Sequence, residues 1–220
     1  PPVAVRLATL RVAGLALDRQ LAGQAATLDA ELQASVSKAS ATARGWVTAS
    51  GTGGTGRLDL DLAVVPADGT LRAELRASEP EGGLVAGLLG LPDRPPLSLT
   101  LTGDGTLAAW KGRLAGGLGA GAETDLRLSV SAAADGTRVT VDGAAAVRRL
   151  VPDTVGPLLG PSVELGLTAL AASDGAVEVQ RVAARAAAGT LDGTARIDPA
   201  GRIVAADITV AAPELGRFAG

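Results

Sequence analysis

"RLDLDLAVVPADGTLRAEL", residues 57–75, decides how the rest of the chain is read. Leu58, Leu60 and Leu62 alternate with Arg57, Asp59 and Asp61; "ADGT" at 67–70 interrupts; then Leu71-Arg72-Ala73-Glu74-Leu75 alternates again. Period two is the repeat of a strand with one apolar and one solvated face. Asp-Gly favours a tight hairpin turn, because both residues tolerate left-handed backbone angles. The stretch reads as strand, turn, strand.

The same grammar extends in both directions. Alternation recurs at Val3–Leu7, Leu28–Leu32, Leu97–Leu101, Leu126–Val130, Val139–Val141, Val163–Leu167, Val177–Val179 and Ile208–Val210. Turn signals fall between the runs: "GDGT" at 103–106, "ADGT" at 134–137, "SDGA" at 173–176, "LDGT" at 191–194 and "DPAG" at 198–201. "GTGGTG" at 51–56 also reads as a turn. It resembles a phosphate loop only superficially, since no Lys-Ser/Thr follows and the next segment alternates as a strand. These signals predict an antiparallel meander of a dozen or so strands.

Two segments break the alternation. "SEPEGGLVAGLLG" at 78–90 and "VRRLVPDTVGPLLG" at 147–160 each end in Leu-Leu-Gly, and each leads through proline into a new strand, "PPLSLTL" at 95–101 or "GPSVELGL" at 160–167. "PPVAVRL" opens the chain in the same way. Leu84, Val85, Leu88 and Leu89 share a face at helical spacing, as do Val147, Leu150 and Val151. Gly90 and Gly160 stand where a helix would end. Short helices are expected near 80–90 and 146–160, with the start of a third in "APELGRFAG", near 213–219. Approximate modules are then 1–78, 79–146 and 147–211, within a single internal segment, 1–220, of a longer protein.

Composition limits the chemistry. The 220 residues carry 47% apolar side chains but only 1% aromatic ones, namely Trp46, Trp110 and Phe218. Aromatics dominate compact cores, so a wall of Ala, Leu and Val fits a thin aliphatic surface better than a filled interior. There is no His and no Cys, which removes Ser-His-Asp and Cys-His nucleophiles and nearly all zinc sites. Two-carboxylate glycoside chemistry would call for aromatic sugar platforms that are nearly absent. No catalytic residue, cofactor or metal ligand is expected, and the chain does not read as an enzyme. The net charge of −3, with both signs interspersed, argues against a nucleic-acid partner. No run approaches the length of a membrane span, and the absence of Met reads as a piece cut from something longer.

Residues 57–62, "ADGTLRAEL" at 67–75 and, most specifically, "SEPEGGLVAGLLGLPDRPPLSLTLTGDGTLAAWKGRL" at 78–114 resemble the TamB family of translocation and assembly module proteins, in its alphaproteobacterial form. "LLGPSVELGL" at 158–167 fits the same modular pattern. The resemblance implies a mostly β fold: an elongated, curved antiparallel sheet, the β-taco or half-pipe groove, with two or three short helical inserts. It also implies a periplasmic location and an inner-membrane anchor outside this chain. A TamA-like outer-membrane barrel would be the partner of the parent protein. Such proteins are linked to outer-membrane protein assembly and, with AsmA-like proteins, to bridge-like phospholipid transfer. The family has no catalytic motif to carry over.

On the alternation, Leu58, Leu60, Leu62, Leu71, Leu75, Leu97, Leu99, Leu101, Leu126, Leu128, Val130, Val139, Val141, Val163, Leu165 and Leu167 share an inward apolar face. Asp59, Asp61, Arg72, Glu74, Arg127 and Glu164 point outward. From the residues alone these positions fit a sandwich core as well as a groove wall. The resemblance selects the groove, with phospholipid acyl chains as its occupant. A chaperone groove for outer-membrane proteins and a purely structural spacer are the other readings. Trp46 and Trp110 are expected at strand ends or rims.

Overall fold

A computed structural model describes residues 5–18, 24–88, 93–106, 108–119, 123–147, 151 and 156–212. It is mostly β, with thirteen strands in one antiparallel sheet whose spatial order is the sequence order, not closed into a barrel. The strands are β1 (Val5–Leu17), β2 (Ala26–Val36), β3 (Ala41–Gly51), β4 (Gly54–Val65), β5 (Thr70–Glu79), β6 (Leu97–Thr106) and β7 (Ala109–Leu118). They continue as β8 (Glu123–Ala133), β9 (Gly136–Ala145), β10 (Val163–Ala172), β11 (Val177–Ala186), β12 (Gly189–Ile197) and β13 (Ile203–Ala211). Among the described residues two short helices, Leu84–Leu88 and Gly156–Leu159, interrupt them.

The chain forms two compact units. The first comprises Pro1–Thr106 with Ala115–Ala120, and the second Leu107–Leu114 with Gly121–Gly220, so the division falls inside β7.

Aspartates build several of the turns. Asp68, Asp174 and Asp198 each accept a hydrogen bond from a backbone N–H two residues on, at Thr70, Ala176 and Ala200 (2.9–3.0 Å). That side-chain bond mimics a backbone turn and explains why Asp leads these hairpins. Two expected turns are strand instead. In "GDGT" at 103–106, Asp104 pairs with Arg72 and Gly105 with Leu71 inside β6. In "LDGT" at 191–194, Gly193 lies between Val182 and Ile208 in β12. A Cβ at Gly193 would stand 2.7 Å from the Asp207 carbonyl oxygen and 3.3 Å from the Ile208 and Val182 side chains. Here glycine makes room for larger neighbours on the apolar face rather than bending the chain.

Extra residues are absorbed by bulges. In β1 the register shifts between Leu7 and Leu10 and again between Val12 and Leu15, so Leu10, Val12 and Leu15 all stay on one face. Gly14, at φ 66°, occupies the second bulge and donates its N–H to Asp29 (2.9 Å). A bulge in this position adds a residue without turning the strand over.

The helices are shorter than the spacing predicts. The first begins only at Leu84, and within it Leu84 and Ala86 are buried whereas Val85 is 42% exposed, so Leu84 and Val85 do not share a packed face. Leu89 and Gly90 lie outside the described residues. Among the described residues of 146–160 only Gly156–Leu159 is helical, and Val147 and Val151 are not. Pro157 lacks the N–H that a helix interior needs and is accommodated because it stands in the first turn. Leu150 and the expected segment at 213–219 lie outside the described residues.

The first helix is held by a buried carboxylate. Glu79, 5% exposed at the end of β5, accepts the N–H of Val85 (2.8 Å) and of Ala86 (3.0 Å). The side chain passes over Gly83, where any Cβ would collide with it. Removing one partner of a buried hydrogen bond strands the other at a cost of about 1–3 kcal/mol. Glu79→Ala is therefore expected to destabilise the first unit by about that amount in urea unfolding, while exposed Glu81→Ala leaves the midpoint unchanged.

Candidate functional site

Cross-strand pairing fixes which side chains share a face, because directly opposed residues point the same way. In the first unit Leu58, Leu60 and Leu62 oppose Ala77, Leu75 and Ala73. Leu75 opposes Leu101, Ala77 opposes Leu99, Glu79 opposes Leu97, and Leu71 opposes Gly105. Leu58, Leu60, Leu62, Leu71, Leu75, Leu97, Leu99 and Leu101 thus lie on one continuous face. That face runs on through Val47 and Gly45 of β3 to Leu28 and Leu32 of β2 and Leu15 and Leu10 of β1.

The second unit repeats the arrangement. Leu126, Leu128 and Val130 oppose Gly143, Val141 and Val139. Val163, Leu165 and Leu167 oppose Ala145, Gly143 and Val141. The face continues over Val182 and Ala184 of β11, Gly193 and Leu191 of β12, and Ile208 and Val210 of β13. The sixteen residues named from the alternation fall eight in each unit, and within each unit they share one face of the strands.

Among the described residues neither aliphatic face is fully buried in mid-strand. Among the described residues the buried apolar side chains are Ala26, Leu84, Ala86, Leu97, Trp110, Ala145, Val163 and Ala188, and no large side chain falls below 2% exposure. Every one of the eight sits in the first helix, at a strand end or in the turn before β12.

The helices cover only strand ends. Leu84 packs on Ala26, with Leu17 and Ala49 against the pair, where β1 and β3 finish and β2 begins. In the second unit Leu158 and Leu159 accept backbone hydrogen bonds from Ala188 (2.9 Å) and Ala187 (3.4 Å), beside the turn between β11 and β12. Gly160, at φ 73°, closes that helix as expected.

The opposite faces are solvated and ion-paired. Asp59, Asp61, Arg72, Glu74, Arg127 and Glu164 all lie there. Arg44 bonds Asp61 (2.9 Å), Arg57 bonds Asp59 (2.6 Å), Arg113 bonds Asp125 (2.7 Å) and Arg185 bonds Glu164 (3.1 Å). Trp46 stands mid-strand in β3 on this polar face rather than at a strand end, with the Arg57 guanidinium 5.4 Å from its ring centroid. Trp110 is at a strand end, the second residue of β7, and is 9% exposed.

Sequence reading missed β3, β7 and β12 as strands. Their apolar faces carry Ala41, Ala43, Gly45, Gly112, Gly193 and Ala195, so no run of large hydrophobics marks them. The surviving signal is the polar alternation, as in Lys111 and Arg113 flanking Gly112.

Hydrogen bonds from Arg57 and Arg113, foremost among the causes, hold Asp59 and Asp125 below the usual carboxylate range. A carboxyl lowered in the folded state stabilises above its ordinary range, and that stability is lost as pH falls through the lowered value. Solvent screens such pairs, so the effect is small. Urea titrations at fixed pH should show wild type slightly more stable than Arg113→Gln at neutral pH, with the difference vanishing in strong acid.

No helix among the described residues is long and apolar enough to cross a membrane. No protein-family model, curated protein or solved structure matches the chain.

Proposed function

We propose that this chain is a periplasmic segment of a TamB-like lipid carrier, whose aliphatic faces form the wall of a trough conducting phospholipid acyl chains between inner and outer membranes. One observation carries the reading: single-layer sheet whose large apolar side chains stay partly exposed in mid-strand. An apolar face of this extent in water marks an interaction site. Each methylene taken from water onto it gains about 0.8 kcal/mol, so partial burial of one acyl chain retains a lipid. The wall offers few directional polar contacts in mid-strand, which lets a chain slide rather than lodge. The inner-membrane anchor and a TamA-like barrel would belong to the parent protein.

A second reading, a groove that receives unfolded outer-membrane protein by strand addition, is favoured by β13 alone. It ends the sheet order with Ile203, Val204, Ile208 and Val210 between 57% and 69% exposed. Lipid extraction and native mass spectrometry of the purified chain distinguish the readings. Carriage of phospholipid supports the conduit; lipid-free protein that refuses labelled phospholipid but takes up unfolded polypeptide contradicts it.

The register supplies a sharper comparison. Leu99 opposes Ala77 and Leu128 opposes Val141 on the apolar faces, whereas Thr100 opposes Arg76 and Arg127 opposes Asp142 on the polar ones. A carboxylate on an aliphatic face is costly to desolvate. Leu99→Asp and Leu128→Asp should each weaken capture of labelled phospholipid by about tenfold or more, with Thr100→Asp and Arg127→Asp near wild type. Equal losses on both faces would contradict the assignment.

A further inference from the structure

We propose that the indole N–H of Trp110 is the hydrogen-bond donor for the ester carbonyl of an acyl lipid seated on the apolar face of the second unit; this rests on the acyl-chain reading above. Arg113 donates from two nitrogens to the Asp125 carboxylate at 2.7 Å each. Asp125 opposes Ala144 on the polar face. Alternation along β7 then puts Lys111 with Arg113 on the polar side and Trp110 on the aliphatic side, where it is buried while Lys111 is exposed.

The Trp110 Nε1 atom is buried and has no hydrogen-bond partner. Buried donors without acceptors are rare in native structures, and each calls for a missing partner. Indole nitrogen only donates, so that partner is an acceptor. By register the face offers few others: among the described strand positions its only further polar side chains are Thr124 and Thr137. Thr137 opposes Ala132, whose N–H bonds the Ala108 carbonyl beside Trp110 (2.8 Å). It stands two strands from β7, about 10 Å away. Trp110 and Thr137 therefore form a sparse polar spot at one strand end of an otherwise aliphatic wall, remote from the end that carries Gly156–Leu159.

This stoichiometry selects the ligand class. An extended polypeptide brings an N–H and a carbonyl with every residue, and most would be stranded on aliphatic side chains. An acyl ester brings one carbonyl at the head of a long hydrocarbon chain. One donor beside a wall of Leu and Val matches the ester.

The test uses ¹⁵N-labelled chain with Trp46→Phe, leaving one indole resonance, titrated with dioleoylphosphatidylcholine and separately with hexadecane, which has no acceptor. The expected result is a downfield shift of the Trp110 N–H with phospholipid and none with hexadecane. Trp110→Phe should lower phospholipid affinity about five- to tenfold while hexadecane binding, which also reports that the variant is folded, stays unchanged. Phospholipid bound with an unmoved resonance and unaltered Trp110→Phe affinity overturns the donor role and leaves the acyl-chain reading standing. Failure of both ligands to bind overturns both. A shift produced by an unfolded peptide and not by phospholipid also overturns the proposal. Should Trp110→Phe fail to fold, the resonance of the Trp46→Phe chain decides alone.

Discussion

A single layer of β-sheet cannot bury its own apolar face, and everything else in this protein follows from that constraint. Stable domains pack two or more layers around a core. Here each unit presents one aliphatic side and one ion-paired side, and the short helices cover only strand ends. What would be a folding defect in an isolated globular domain is consistent with a protein whose second layer is its cargo. Polar satisfaction within the sheet is supplied by the backbone ladders, so the aliphatic faces need few polar side chains.

The strands preserve this division at some cost in regularity. Bulges in β1, and register shifts between β11 and its neighbours, restore the apolar parity wherever an extra residue intervenes. Glycines such as Gly193 and Gly105 sit opposite large side chains and leave room for them. On the other face, Arg–Asp and Arg–Glu pairs join neighbouring strands and add little stability individually. Their weight lies in register: slipping a strand by one residue would bring Asp61 and Glu74 onto the aliphatic side.

Most of the fold was legible because period-two alternation is local and survives without tertiary information. Leu58 through Leu75 specify a hairpin, which is present as β4 and β5, and the sixteen apolar side chains share one strand face within each unit. What was missed had physical reasons. β3, β7 and β12 lack an unbroken run of large apolar residues at alternate positions, because Ala and Gly interrupt it, so their alternation carries too little contrast. "GDGT" and "LDGT" were misread because Asp-Gly in a turn and Asp-out, Gly-in along a strand are the same dipeptide. The second helix is shorter than Leu spacing alone implies because Pro157 has to stand in a first turn. Trp46 was misplaced because an aromatic on a polar face is anchored by Arg57, a contact from a neighbouring strand that spacing cannot reveal.

The account stands on what fills the space over the aliphatic faces, and the absence of cysteine makes that directly measurable. A spin label on Leu128→Cys and, separately, on Arg127→Cys reports contact with phospholipid carrying a paramagnetic relaxer in mid-chain. The account predicts strong relaxation at position 128 and little at 127, with the signal at 128 abolished by extracting the lipid. Equal relaxation at the two positions, or none at 128 with lipid bound, would contradict it.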